Sequence, residues 1–192
     1  MRLVAVLLSL GLANAAGADC LPEGKTPSVV RFADGAVIDH INRQGDLISY
    51  VSYDSRGEPS ENAAFWGLYP YHSDFPGDGA TYDWQGATLP PPADLSPGQE
   101  IRVTALKHFF GVKLAFSMKV RLIGPAEVDV GGCTYPVVHL AVSRSQDGTT
   151  ISEEELWLDP ARLVVWATTE RTLDKKRNLK RETSSRAVGA TE

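Results

Sequence analysis

Apolar and polar residues alternate almost without fault along residues 113–122. Leu114, Phe116, Met118, Val120 and Leu122 fall on one face, and Lys113, Ala115, Ser117, Lys119 and Arg121 on the other. A period of two predicts a half-buried β-strand. Residues 137–143, 151–158 and 162–169 carry the same signal, separated by Gln146-Asp147-Gly148 and by Asp159-Pro160, which are turn-forming stretches. These segments predict a meander. Earlier in the chain, residues 28–32, 36–41 and 47–53 are shorter runs joined at Asp34-Gly35 and Gln44-Gly45-Asp46. Both joints read as hairpin turns, because glycine accepts the positive φ that tight hairpins need.

Between residues 63 and 98 the alternation breaks. Pro70, Pro76, Pro90, Pro91, Pro92 and Pro97 leave little room for a hydrogen-bonded ladder, and the stretch reads as one long ordered loop. No helical apolar period lasts three turns; residues 92–95 and the stretch after Leu173 have room only for short helical pieces. The fold class is therefore all-β and antiparallel, a strongly curved sheet or open half-barrel with a long Pro-rich loop and little helix. Phe116, Met118, Val120, Val138, Leu140, Leu156, Leu158, Val164 and Trp166 are the expected core.

The first residues change where this fold is expected to live. Arg2, an apolar run over residues 3–12, and the small residues Ala13, Ala15, Ala16 and Ala18 have the layout of a cleaved secretory signal, and the run is too short to span a bilayer. The expected organisation is a signal peptide at 1–18, a single β domain at 19–174 and a basic C-terminal tail at 175–192, in a periplasmic protein. Only two cysteines occur, Cys20 and Cys133. In an oxidising compartment such a pair is expected to form a disulfide, which pins the N-terminus to the body of the domain. Lipidation of Cys20 is the rival, but Asp19 stands where a small residue is needed and the usual upstream Leu is missing.

The whole chain has 192 residues and a formal charge of −5. That balance argues against nucleic acid as a partner, which would need a basic excess. Lys175, Lys176, Arg177, Lys180, Arg181 and Arg186 crowd the last part of the chain. Such a tail can touch anionic headgroups, although a solvated or frayed terminus is the plainer expectation.

The order Gly131-Gly132-Cys133-Thr134-Tyr135, a strand, Gly148, Trp157-Leu158-Asp159-Pro160 and then Arg162-Leu163-Val164-Val165 resembles a family of bacterial exported domains of unknown function. The stretch 122–130 and Pro97-Gly98 look similar to that family as well. The likeness covers residues 97–171. It implies an open half-barrel related in shape to the periplasmic lipoprotein carriers LolA and LolB, and no catalytic site. Leu158 stands where that pattern has an aromatic, and Cys133 lies inside the turn.

Candidate chemistry is sparse. Trp66, Tyr69, Tyr71, His72, Tyr82 and Trp84 make the broken region an aromatic segment interspersed with Asp74, Asp78 and Asp83. Its rings either stack on a sugar or grip a peptide, or fold back as a lid over one end of the sheet, and the lid is the favoured expectation. The three aspartates do not match an EF-hand loop, and His40, His72, His108 and His139 lack ligand spacing, so no metal or other cofactor is expected. No Gly-x-Ser-x-Gly elbow occurs. Of Glu153, Glu154 and Glu155, the middle one points away from its neighbours on a strand, so no carboxylate pair converges. No enzyme is expected. The expected function is an exported protein holding a hydrophobic or lipid-like molecule in its concave face; the alternative is an envelope interaction module working through protein contacts at a sheet edge or at the aromatic loop.

Overall fold

In the computed structural model, residues 20–74, 79–174 and 176–192 are described; the segment read as a signal peptide lies outside them. Twelve antiparallel strands follow one another around a closed barrel. They are β1 (Val29–Phe32), β2 (Val37–Gln44), β3 (Leu47–Tyr53), β4 (Pro59–Phe65), β5 (Tyr69–Asp74), β6 (Ala80–Asp83), β7 (Glu100–Phe109), β8 (Val112–Val130), β9 (Cys133–Gln146), β10 (Thr149–Asp159), β11 (Val164–Leu173) and β12 (Leu179–Thr191). The only helix among the described residues is a single 3₁₀ turn at Pro92–Asp94. The all-β antiparallel class and the β8–β11 meander agree with the alternation.

The sheet is closed where an open half-barrel was expected. The residues read as a loose basic tail form β12, which pairs with β11 and with β1, Val29 standing opposite Thr191 and Val30 opposite Ala190. Closure satisfies both edges of the sheet and removes the free edge on which a partner strand would add. The region read as one long loop holds the end of β4 and all of β5 and β6, and its longest irregular stretch among the described residues is 84–99. Two prolines of these strands sit where a ladder tolerates them. Pro59 opens β4, and Pro70 is the second residue of β5, beside a shift in the β4–β5 register.

Three hairpin turns place a non-glycine and a glycine at positive φ in succession: Trp66-Gly67, Phe110-Gly111 and Asp147-Gly148. This is the φ pattern of the type I′ turn, whose twist matches that of the flanking strands. Gly67 is also sterically required. A Cβ there would lie 2.3 Å from the Leu163 carbonyl oxygen of the β10–β11 turn. Gly67→Ala is expected to cost more than about 2 kcal/mol, read as a lowered urea midpoint at unchanged slope.

Inward-facing side chains form two apolar clusters. Met118, Val120, Leu140, Leu156 and Leu158 pack with Leu68, Tyr69, Trp84 and Leu95 in the first. Val30, Val128, Val137, Val164 and Trp166 pack around Cys133 and Tyr135 in the second. Every expected core residue is buried except Val138, which is half-buried against the first cluster. β8 also comes close to β11 and β12 across the barrel, where Val128 and Val130 share a cluster with Val164, Trp166 and Ala187. Outward positions carry charge instead: Arg102, Arg121 and Arg171 are exposed, and Lys119 and Glu153 are partly so. A lipid-facing band on a membrane barrel would need the opposite pattern.

Cys20 and Cys133 are bonded, with their Cα atoms 5.6 Å apart, so Cys20 has no thiol to carry a lipid. Next to this bond, Asp159 is fully buried in the β10–β11 turn. One of its carboxylate oxygens accepts the backbone N–H groups of Ala161 and Arg162, both at 3.0 Å. The other accepts from Arg162 Nη1 at 2.8 Å and from Trp166 Nε1 at 3.3 Å. Arg162 Nη2 donates to the carbonyls of Leu21 and Pro22, at 3.2 and 2.7 Å, and the guanidinium lies 4.9 Å from the Tyr135 ring centre. The Trp157-Leu158-Asp159-Pro160 turn thereby anchors the segment that follows Cys20.

Candidate functional site

The Pro-rich stretch 84–99 closes one end of the barrel as a lid. Three aromatic side chains hold it through their polar handles. Trp66 Nε1 donates to the Leu89 carbonyl at 3.0 Å, Tyr69 Oη to the Pro90 carbonyl at 3.0 Å, and Trp84 Nε1 to the Pro70 carbonyl at 2.9 Å. Pro92 and Leu95 are buried beneath. Burial pushes the Tyr69 phenol well above its ordinary range, so it stays a donor at any physiological pH. Tyr69→Phe is expected to cost about 1 kcal/mol and to speed hydrogen exchange across residues 85–95 more than in β8 or β9. An equal change throughout the chain would mean that the hydroxyl does not hold the lid.

Against the lid lies a cleft of about 700 Å³ whose walls include Phe65, Tyr71, Tyr82, Trp84 and Leu89, with Asp46, Asp83 and His108 among its polar lining. Phe65 and Tyr71 meet edge-on at 5.5 Å, and Tyr71 is 47% exposed. Tyr82 packs edge-on against Phe116 at 4.9 Å, so its ring separates the cleft from the barrel core. Lys107 Nζ sits 4.9 Å from the centre of the Phe109 ring, and burial pulls its ammonium pKa down.

Of the six aromatic-segment residues singled out in the sequence, Tyr71, Tyr82 and Trp84 come together in this cleft. His72 and Tyr82 border an inner cavity, while Trp66 and Tyr69 clamp the lid.

The inner cavity, about 260 Å³, involves residues that the sequence did not single out. Paired residues in a ladder share a face, so the register lays out the barrel interior row by row. Leu122, Leu140 and Leu156 form one apolar row. The next row is Val120, Val142, Glu154 and Glu170, and the one beyond it Met118, Arg144, Ser152 and Thr172. The facing wall has Tyr50, Asn62 and Ser73 in register. Arg144 pairs with Glu154, whose Oε1 also accepts from Ser152 Oγ at 3.0 Å. Desolvation lowers the Arg144 pKa, and the nearby Glu170 carboxylate partly restores it. Burial raises the phenols of Tyr50 and Tyr82, partly offset by the Arg144 charge. Asn62 Nδ2 donates to Ser52 Oγ at 2.9 Å, and its Oδ1 accepts from Ser73 Oγ at 3.0 Å. A signal did exist in the sequence: Arg144 and Glu154 each sit on the apolar face of their strands, in step with Leu140 and Val142 and with Leu156 and Leu158.

Among the described residues, no group of three or more His, Cys, Asp or Glu side chains gathers in a way that would hold a metal ion. No known family's sequence profile matches the chain, and no curated protein does. In overall shape it is similar to a solved structure described as the hypothetical lipoprotein YmcC from Escherichia coli K12. The TM-score is 0.51 at 9% identity, over 88% of this chain and 87% of that one. A likeness at such identity is one of fold.

Proposed function

We propose that this chain is an exported, non-catalytic binding protein of the periplasm that takes a hydrophobic ligand in the cleft under its lid. The observation that carries the proposal is the cleft itself, about 700 Å³ with ring side chains on its walls and a few polar groups among them. Concave, mostly apolar surfaces with sparse polar groups are where small ligands bind. A large hydrophobic ligand belongs in this cleft rather than among the two apolar clusters, which side chains already fill. Export is supported by the Cys20–Cys133 bond and by the signal-like start of the chain. The fold neighbour's description as a hypothetical lipoprotein fits an envelope setting.

The test is titration of the detergent-free mature protein with a fluorescent fatty-acid probe. Saturable binding is expected, and Tyr71→Ala is expected to weaken it about tenfold without lowering the melting temperature, since that ring is half exposed. Non-saturable uptake, or equal affinity in the variant, would overturn the proposal.

A further inference from the structure

We propose that the barrel interior holds a second binding site, independent of the cleft, for a small organic monocarboxylate at Arg144. The cavity beside this residue is bordered on the opposite wall by Tyr50, Ser73 and Tyr82, and its apolar lining includes Leu68, Leu156 and Val165. Arginine presents five N–H donors in a planar fork, and Glu154 is the acceptor it meets among the described residues. Among the described residues, no hydroxyl, carbonyl or other carboxylate accepts from Arg144, and none accepts from the Tyr50 or Tyr82 hydroxyl. Asn62 differs, because its amide nitrogen and oxygen are both engaged with serines. The groups with hydrogen-bonding capacity left at the cavity are therefore mainly donors, and they call for an acceptor-rich guest.

Charge and size narrow the guest further. Glu154 and Glu170 already face this one guanidinium, so the site has little positive charge to spare and excludes a dianion before a monoanion. The apolar lining gives a short carbon chain or ring a surface to cover. A volume of about 260 Å³ admits a small acid but lies below the usual range for larger ligands, so a long acyl chain does not fit. The desolvation that depresses the Arg144 pKa is the cost that a bound carboxylate would offset.

Isothermal titration of the mature protein with butyrate, butyramide and inorganic phosphate tests the proposal. Butyrate is expected to bind saturably, with butyramide and phosphate at least about tenfold weaker, because the amide lacks the charge and phosphate carries too much of it. Tyr50→Phe, which removes one hydroxyl and keeps the ring, is expected to weaken butyrate about tenfold with little change in melting temperature. Arg144→Met is expected to abolish binding, and Tyr71→Ala in the outer cleft to leave it unchanged. Equal binding of butyrate and butyramide, tighter binding of phosphate, unchanged affinity in Tyr50→Phe, or no saturable butyrate binding would each overturn the proposal. The Tyr50 variant and the butyramide comparison keep the test decisive even if Arg144→Met fails to fold.

Discussion

Asp159→Ala is expected to destabilise the barrel by about 3–5 kcal/mol, because it leaves the buried Arg162 guanidinium without its anion. The Asp159 side chain is fully buried and that of Arg162 is 5% exposed, so water cannot replace the lost carboxylate. The same substitution orphans the indole N–H of Trp166 and the backbone N–H groups of Ala161 and Arg162. Its effect should also travel to the N-terminal segment. Arg162 Nη2 holds the Leu21 and Pro22 carbonyls, while the Leu21 N–H donates to Tyr135 Oη at 3.2 Å. For a domain of this size the melting temperature should fall on the order of 10 °C. Hydrogen exchange should show the Leu21 amide opening before the β8–β9 ladder. A loss below about 1 kcal/mol would mean that the network is incidental to the fold.

Replacing both Cys20 and Cys133 by serine is expected to remove about 4–5 kcal/mol. The bond joins residues 113 positions apart, and a loop of that length restricts the unfolded chain strongly. In the folded state the loss is local, since the Arg162 contacts still hold Leu21 and Pro22. Unfolding of the native protein with and without reductant measures the difference, and the serine variant should match the reduced protein. If reduction leaves the denaturation midpoint unchanged, the bond adds nothing to the contacts beside it.

Strands β8 to β11 were legible because alternation is a local property: a strand with one wet face repeats every two residues whatever its neighbours do. The lid was legible too, from prolines that cannot join a ladder and rings that need somewhere dry to go. The strands between residues 59 and 83 were not. Their runs are short, Pro70 stands inside one of them, and the turn joining β4 to β5 is built from Trp66 and Gly67, where a small polar residue beside glycine would have been the readable sign. Trp66, one of the rings read as either ligand-stacking or lid-forming, is a turn residue whose indole N–H donates to the lid. β12 was hidden by its own charge. Lys180, Arg181 and Arg186 look like a solvated tail until β1 and β11 supply hydrogen-bonding partners on either side.

The candidate sites divide in the same way. Tyr71, Tyr82 and Trp84 were visible as an aromatic cluster in one stretch of chain. Arg144 and Tyr50 lie on strands far apart in sequence, and only the tertiary structure places them around one cavity, with Glu154 paired to Arg144. The sequence by itself determined the antiparallel β class, the order of the meander and the pairing of its two cysteines. These follow from the period of two and from the count of thiols. The tertiary structure alone decided that the sheet closes, that its apolar interior is already filled, and that charged and phenolic groups meet inside it. Closure and convergence depend on which distant strands become neighbours, and no local period encodes that choice.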